Sequence, residues 1–184
     1  MTPLSYTRLF TAPLAILLFA ASLASAPADQ TRLRAPDTKY VPSPQSVVDA
    51  MLELAHVTSA DIVYDLGCGD GRIPITAAQR YGARAVGVEL EPRLVAEAND
   101  NAKKAGVTDR VWFLHQDLFE TDFSAATVVT LFLMPRLNQA LIPKLKALRP
   151  GSRVVSHMWD MGPGWPAEQE QDVSGLMIYM WTIR

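Results

Sequence analysis

Apolar residues along the chain gather in short runs, and stretches with helical spacing lie between them. Val47, Val48, Met51, Leu52, Leu54 and Ala55 recur on one side of a predicted helix, with Ser43 as its N-cap and Pro44 at its first position. Asp61 to Leu66 (DIVYDL) reads as a strand that ends in a glycine-rich turn. Arg72 to Tyr81 reads as a helix that tolerates Pro74 in its first turn. A second strand follows over Arg84 to Leu90, then a helix from Pro92 to about Ala105 that Gly106 stops. Val111 to His115 is a third strand, and Thr127 to Met134 (TVVTLFLM) a fourth, apolar enough to be covered on both faces. Pro135 opens a helix ended by Pro150 and Gly151, and Arg153 to Met158 and Leu176 to Ile183 are the fifth and sixth strands.

Strands alternating with helices predict the α/β class, as a doubly wound, mostly parallel, Rossmann-like sheet. In such a sheet a ligand sits at the carboxyl ends of the strands, where the strand order reverses. At 184 residues, 49% of them apolar and 20% charged, the chain suits one globular domain with a proper core. Residues 44–184 form that domain, and 29–43 are a polar, proline-containing linker or cap.

Residues 1–28 differ. Arg8 is their one charged side chain, Leu14 to Phe19 (LAILLF) is a compact apolar run, and Ala26 and Ala28 fit an A-x-A cleavage site before Asp29. The segment reads as a signal peptide that sends the domain out of the cytosol. The alternative is an uncleaved anchor over residues 9–28, with Arg32 and Arg34 after it holding the domain on the cytosolic side.

A formal charge of −2 and the lack of any run of Lys and Arg give no general attraction to nucleic acid, so no such partner is expected. With one cysteine, Cys68, and three scattered histidines, the chain offers no metal-ligand spacing. Candidate chemistry centres on Asp65-Leu66-Gly67-Cys68-Gly69-Asp70-Gly71. The dinucleotide fingerprint G-x-G-x-x-G would place its third glycine at position 72, where Arg72 stands. A pyrophosphate would also be repelled by Asp65 and Asp70 in a partly dry pocket. S-adenosylmethionine carries an ammonium and a sulfonium and no phosphate, so carboxylates favour it, and Gly67, Gly69 and Gly71 let backbone approach it closely. Glu89, at the end of the second strand, stands where ribose hydroxyls are gripped. Asp117, after the third strand, is placed to accept from the adenine amino group.

These features make the chain resemble the class I adenosylmethionine-dependent methyltransferases over about Tyr40 to Ile183. The resemblance carries Asp65, Gly67, Gly69, Gly71, Glu89 and Asp117 over as cofactor contacts. More narrowly, YVPSP (Tyr40 to Pro44), DLGCGDGRI (Asp65 to Ile73) and DLFETDFS (Asp117 to Ser124) resemble a family of small protein-lysine methyltransferases. Its mitochondrial members act on the ATP synthase c subunit and the adenine nucleotide translocase, and carry an apolar segment before the core. Membrane association through residues 9–28 is what that likeness implies here. Class I enzymes end in a seventh strand, whereas six are read in this chain, so either the last is missing or the count is one short.

The place after the fourth strand, Phe132-Leu133-Met134-Pro135-Arg136, lacks the Asn or Asp followed by prolines of enzymes that methylate adenine or glutamine amides. The expected acceptor is therefore a protein lysine or another amine, a small molecule being the alternative. Tyr40, His157, Trp159 and Asp160 are the candidates at the mouth; His157 is placed either as a base or as a structural hydrogen bonder. The missing strand and the lack of an evident base also leave room for a non-catalytic module that binds adenosylmethionine, and a dinucleotide oxidoreductase is a third reading.

Overall fold

The computed structural model describes residues 33–37 and 39–184; the expected signal or anchor over residues 1–28 lies outside them. In chain order the elements are α1 (Gln45–Leu54), β1 (Ile62–Leu66), α2 (Arg72–Tyr81), β2 (Arg84–Glu89), α3 (Pro92–Ala105), β3 (Val111–His115), β4 (Val128–Leu131), α4 (Pro135–Lys146), β5 (Arg153–His157), β6 (Gln169–Val173) and β7 (Leu176–Thr182). The strands form one sheet in the order β3-β2-β1-β4-β5-β7-β6, parallel except for β7, which runs against both neighbours.

Of the two alternatives, the second holds: no strand is missing, and the count of six is one short. The run read as a sixth strand is the seventh, and the one overlooked is Gln169–Val173, which turns back into β7 at Ser174 and Gly175. Its sequence, QEQDV, has no apolar alternation because four of its five residues are exposed and, among the described residues, it pairs with β7 alone. With the final hairpin complete, the structural reason for a non-catalytic module falls away.

Side chains on successive strand residues point to opposite faces, which divides the core in two. Val63, Ala85, Val128 and Val155 pack with Val47, Met51 and Leu52 of α1 and Ile73 and Ala77 of α2. Leu66, Val88, Leu131 and Val154 pack with Leu137, Leu141 and Leu145 of α4 and with Trp181. β4 is buried at every position, as its uninterrupted apolar run implied, though it is only four residues long. The direction of winding changes between β1 and β4, and the carboxyl ends of these strands open a crevice there.

One cap differs from the sequence reading. Pro44, not Ser43, precedes α1, and no side chain caps the helix. The Ser43 hydroxyl is turned away to His157 instead, 2.9 Å from its Nδ1.

Candidate active site

Gly67, Gly69 and Gly71 all adopt positive φ, at 84°, 54° and 80°, which lets the chain leave β1 and enter α2 within five residues. The turn is strung over β2: the amides of Gly67 and Cys68 both donate to the Val88 carbonyl, at 2.8 and 3.0 Å. The close approaches at these glycines come from the protein itself. A Cβ on Gly69 would stand 2.1 Å from the Tyr40 ring, and one on Gly71 would stand 2.5 Å from Phe113.

Beside the turn lies an open cavity with about 890 Å³ of empty volume, solvent at its mouth included. Asp65, Gly67 and Glu89 line it. One wall is the segment before α1, which contributes Arg34, Asp37, Tyr40 and Ser43 among others. Among the described residues of this lining, five carboxyl groups (Asp37, Asp65, Asp70, Glu89, Glu91) face three cations (Arg34, Lys39, Arg72).

Asp65 is buried at the end of β1, and Thr130 on the adjacent strand donates to its Oδ1 over 2.8 Å. Burial first, then the charges of Glu89 and Asp70, push its pKa up to about 7 against the pull of the Thr130 hydrogen bond. Glu89 accepts from the Gly69 amide at 3.0 Å with Oε2, and from the Leu90 and Glu91 amides at 2.8 and 2.9 Å with Oε1. A carboxylate has about four lone-pair sites, which leaves room for a ribose hydroxyl. Asp117 does not itself line the cavity, although Gln116 and Leu118 do. Its carboxylate takes the Phe119 amide at 2.9 Å and the Arg34 guanidinium.

Arg34 bonds Asp37 as well, and Arg136 of α4 donates to Asp37 at 2.6 Å, so the segment is tied to both sides of the crevice. Further along, Tyr40 lies on Gly69; burial, then the neighbouring Asp70 carboxylate, push its hydroxyl pKa up to about 12. Arg72 grips both oxygens of Asp70, at 3.0 and 2.7 Å, and reaches the Ser43 carbonyl at 2.8 Å. Burial alone would raise the Asp70 pKa, but Arg72 outweighs it and holds the carboxyl below its usual range.

The other candidates sit apart. His157 is buried behind the wall, its ring 4.0 Å from that of Phe132, and Nε2 has no partner among the described residues. A buried unpaired ring nitrogen costs on the order of 1–3 kcal/mol. Burial also lowers the His157 pKa, which keeps the ring neutral. Asp160 is exposed, and its Oδ1 accepts from the Gly162 amide at 3.0 Å. Trp159 is exposed beside it, and its carbonyl takes a 3.0 Å bond from the Asn138 amide, which Ser156 and Asp160 share. Sequence reasoning missed Arg34, Ser43 and Arg72. Arg72 follows the last glycine directly, but Asp117 lies 83 residues from Arg34 and His157 lies 114 from Ser43, beyond any local pattern.

The lining suits S-adenosylmethionine better than a dinucleotide. Arg34 and Arg72, the cations a pyrophosphate would need, are already occupied by carboxylates, while Asp65 is buried with no cation bonded to it among the described residues.

Comparison with known proteins agrees. Residues 65–169 match the model of the ANTKMT methyltransferase domain. A protein-lysine N-methyltransferase of Saccharolobus islandicus (strain REY15A) is 49% identical over 154 residues, 80% of this chain and 95% of that one. The adenine nucleotide translocase lysine N-methyltransferase of Mus musculus is 38% identical over 73% of this chain, but the match spans only 57% of its length. Among solved structures, an RNA methyltransferase from Salinibacter ruber in complex with S-adenosyl-L-homocysteine has a TM-score of 0.76 and 56% identity, covering 78% of this chain and 94% of that one.

Proposed function

The chain belongs to the ANTKMT methyltransferase family, and from that premise we propose that it methylates the side-chain amine of a protein lysine. It is an S-adenosylmethionine-dependent methyltransferase. When bound, S-adenosylmethionine supplies a methyl group on a sulfonium, which an amine lone pair displaces in line. Asp65 is the residue we assign to the cofactor's ammonium, Glu89 to the ribose and Asp117, once Arg34 yields, to the adenine amino group. Gly67 backs the cofactor, while Gly69 and Gly71 shape the turn beneath it.

The relatives' names differ in acceptor: one acts on protein lysine, another on RNA. The observation that favours lysine is the excess of carboxyl groups in the cavity lining. That field attracts an alkylammonium and repels a phosphodiester. Four of the large exposed apolar side chains, Tyr40, Val41, Met134 and Trp159, belong to segments at the same carboxyl edge of the sheet. An apolar rim of this kind lowers the pKa of an entering amine, which must be neutral to attack. The ammonium gives one proton to water at this rim before it attacks, and the methylated amine that forms carries the positive charge left from the sulfonium.

The test is to supply the purified chain with methyl-labelled adenosylmethionine together with a protein extract or with total RNA. Label recovered as methyllysine after acid hydrolysis supports the reading. Label in RNA alone, or in a small-molecule fraction alone, overturns the acceptor.

A further inference from the structure

His157 lies at the end of β5, 2% exposed and outside the cavity lining, yet it touches two residues that line the cavity from separate elements. Its Nδ1 is 2.9 Å from the Ser43 hydroxyl, and its ring packs on Phe132 at 4.0 Å and 37°. Ser43 belongs to the segment that lays Tyr40 over Gly69, and Phe132 follows β4. Directly after the ring, Met158 turns the chain away with φ 67°, and its amide donates to the Met177 carbonyl at 2.7 Å.

We infer that His157 is the positioning residue that seats the 39–44 segment over the cofactor, and not a base. A base needs a path for the proton it takes, and Nε2 is buried with no partner among the described residues. Nδ1 is already committed to Ser43. What remains is a neutral ring that offers one hydrogen bond to the segment and one face to Phe132. The Ser43 carbonyl extends the link, since Arg72 donates to it at 2.8 Å while gripping Asp70 in the glycine turn. Histidine, serine and arginine thus form one chain of contacts from β5 to the turn. Its loss would loosen the cavity wall and leave the reacting atoms untouched.

The inference rests on the cavity being the cofactor site and is independent of which acceptor is methylated. Its test is calorimetric binding of S-adenosylhomocysteine to Ser43→Ala, His157→Phe, His157→Asn and the double Ser43→Ala/His157→Phe variant. Ser43→Ala and His157→Phe should each weaken binding about five- to tenfold, the worth of one hydrogen bond. The double variant should bind no more weakly than the weaker single, because both remove the same contact. His157→Asn retains a polar group near the Nδ1 position and should stay within about twofold of the parent, on the same hydrogen-bond scale. At saturating cofactor, turnover on the acceptor found by labelling should be retained in every variant. Additive losses, an Asn variant as weak as the Phe variant, or unchanged binding by Ser43→Ala would overturn the inference. So would turnover lost in both histidine variants at saturating cofactor, the mark of a base. If His157→Phe fails to fold, Ser43→Ala and His157→Asn still decide.

Discussion

Asp65 and Thr130 are direct partners across β1 and β4, and the threonine hydroxyl donates to the aspartate over 2.8 Å with both residues buried. A single neutral donor is poor compensation for a buried carboxylate. The position is costly for the empty protein and becomes favourable when a cation arrives.

Asp65→Ala should therefore abolish binding of S-adenosylhomocysteine while the fold survives, since the side chain meets the cavity and not the packed core. Calorimetry paired with circular dichroism checks this. Parent-like affinity would remove Asp65 from the site.

The same residue predicts a pH dependence. Its folded pKa, about 7, lies above the ordinary value of 3.8, so the folded state holds a proton that the unfolded state has released. Stability of the empty protein should fall as pH rises from about 4 to about 7, and the full penalty should stand above that. Cofactor binding has the opposite trend: affinity should rise over the upper part of this window as Asp65 ionises, with proton release at the acid end. Calorimetry in buffers of different ionisation enthalpy reads the protons, and Asp65→Asn should flatten both trends. A wild-type affinity that is level from pH 5.5 to 7 contradicts the assignment.

Glu89→Ala should cost about 1–3 kcal/mol of cofactor affinity, the scale of hydrogen bonds to a charged group. Part of that loss comes through the turn, because the Gly69 amide loses its acceptor. An unchanged dissociation constant would exclude the residue.

Arg34 is about a third exposed where it meets Asp37 and Asp117, so its ion pairs add little to global stability. Arg34→Met should leave the melting temperature nearly unchanged yet speed the entry of S-adenosylhomocysteine, because Asp117 no longer has to be freed from the guanidinium. Stopped-flow binding measures this. Identical binding rates would mean that the Arg34–Asp117 pair does not govern entry.

For residues 1–28 the export reading predicts a mature chain that begins at Asp29. Mass spectrometry of the N-terminus from fractionated cells tests it. An intact N-terminus in the membrane fraction, with the domain open to protease only from the cytosolic side, favours the anchor.

The parallel half of the fold was legible because each of its strands pairs an apolar run with a turn at its carboxyl end, as Ile62–Leu66 does with Gly67. Asp65 and Glu89 were legible for the same reason: chemistry placed at strand ends follows from strand ends. Ser43 misled, since a serine before proline and an apolar helix suits an N-cap, and only the fold brings His157 within reach of its hydroxyl. The roles of Gly69 and Gly71 were read as room for a ligand, whereas Tyr40 and Phe113 occupy the space a Cβ would need. Such relationships join residues far apart in the chain, and no local period records them.

β6 escaped notice because it lacks an apolar face, and that same lack determines how the sheet ends. Glu170 and Asp172 place two carboxylates on a five-residue border strand that has one neighbour. A strand from another molecule that tried to extend the sheet there would gain backbone bonds but confront like charges and little apolar surface. Replacing both acids with valine would give the border an adhesive character, and the protein a route to fibrous association that its present sequence discourages.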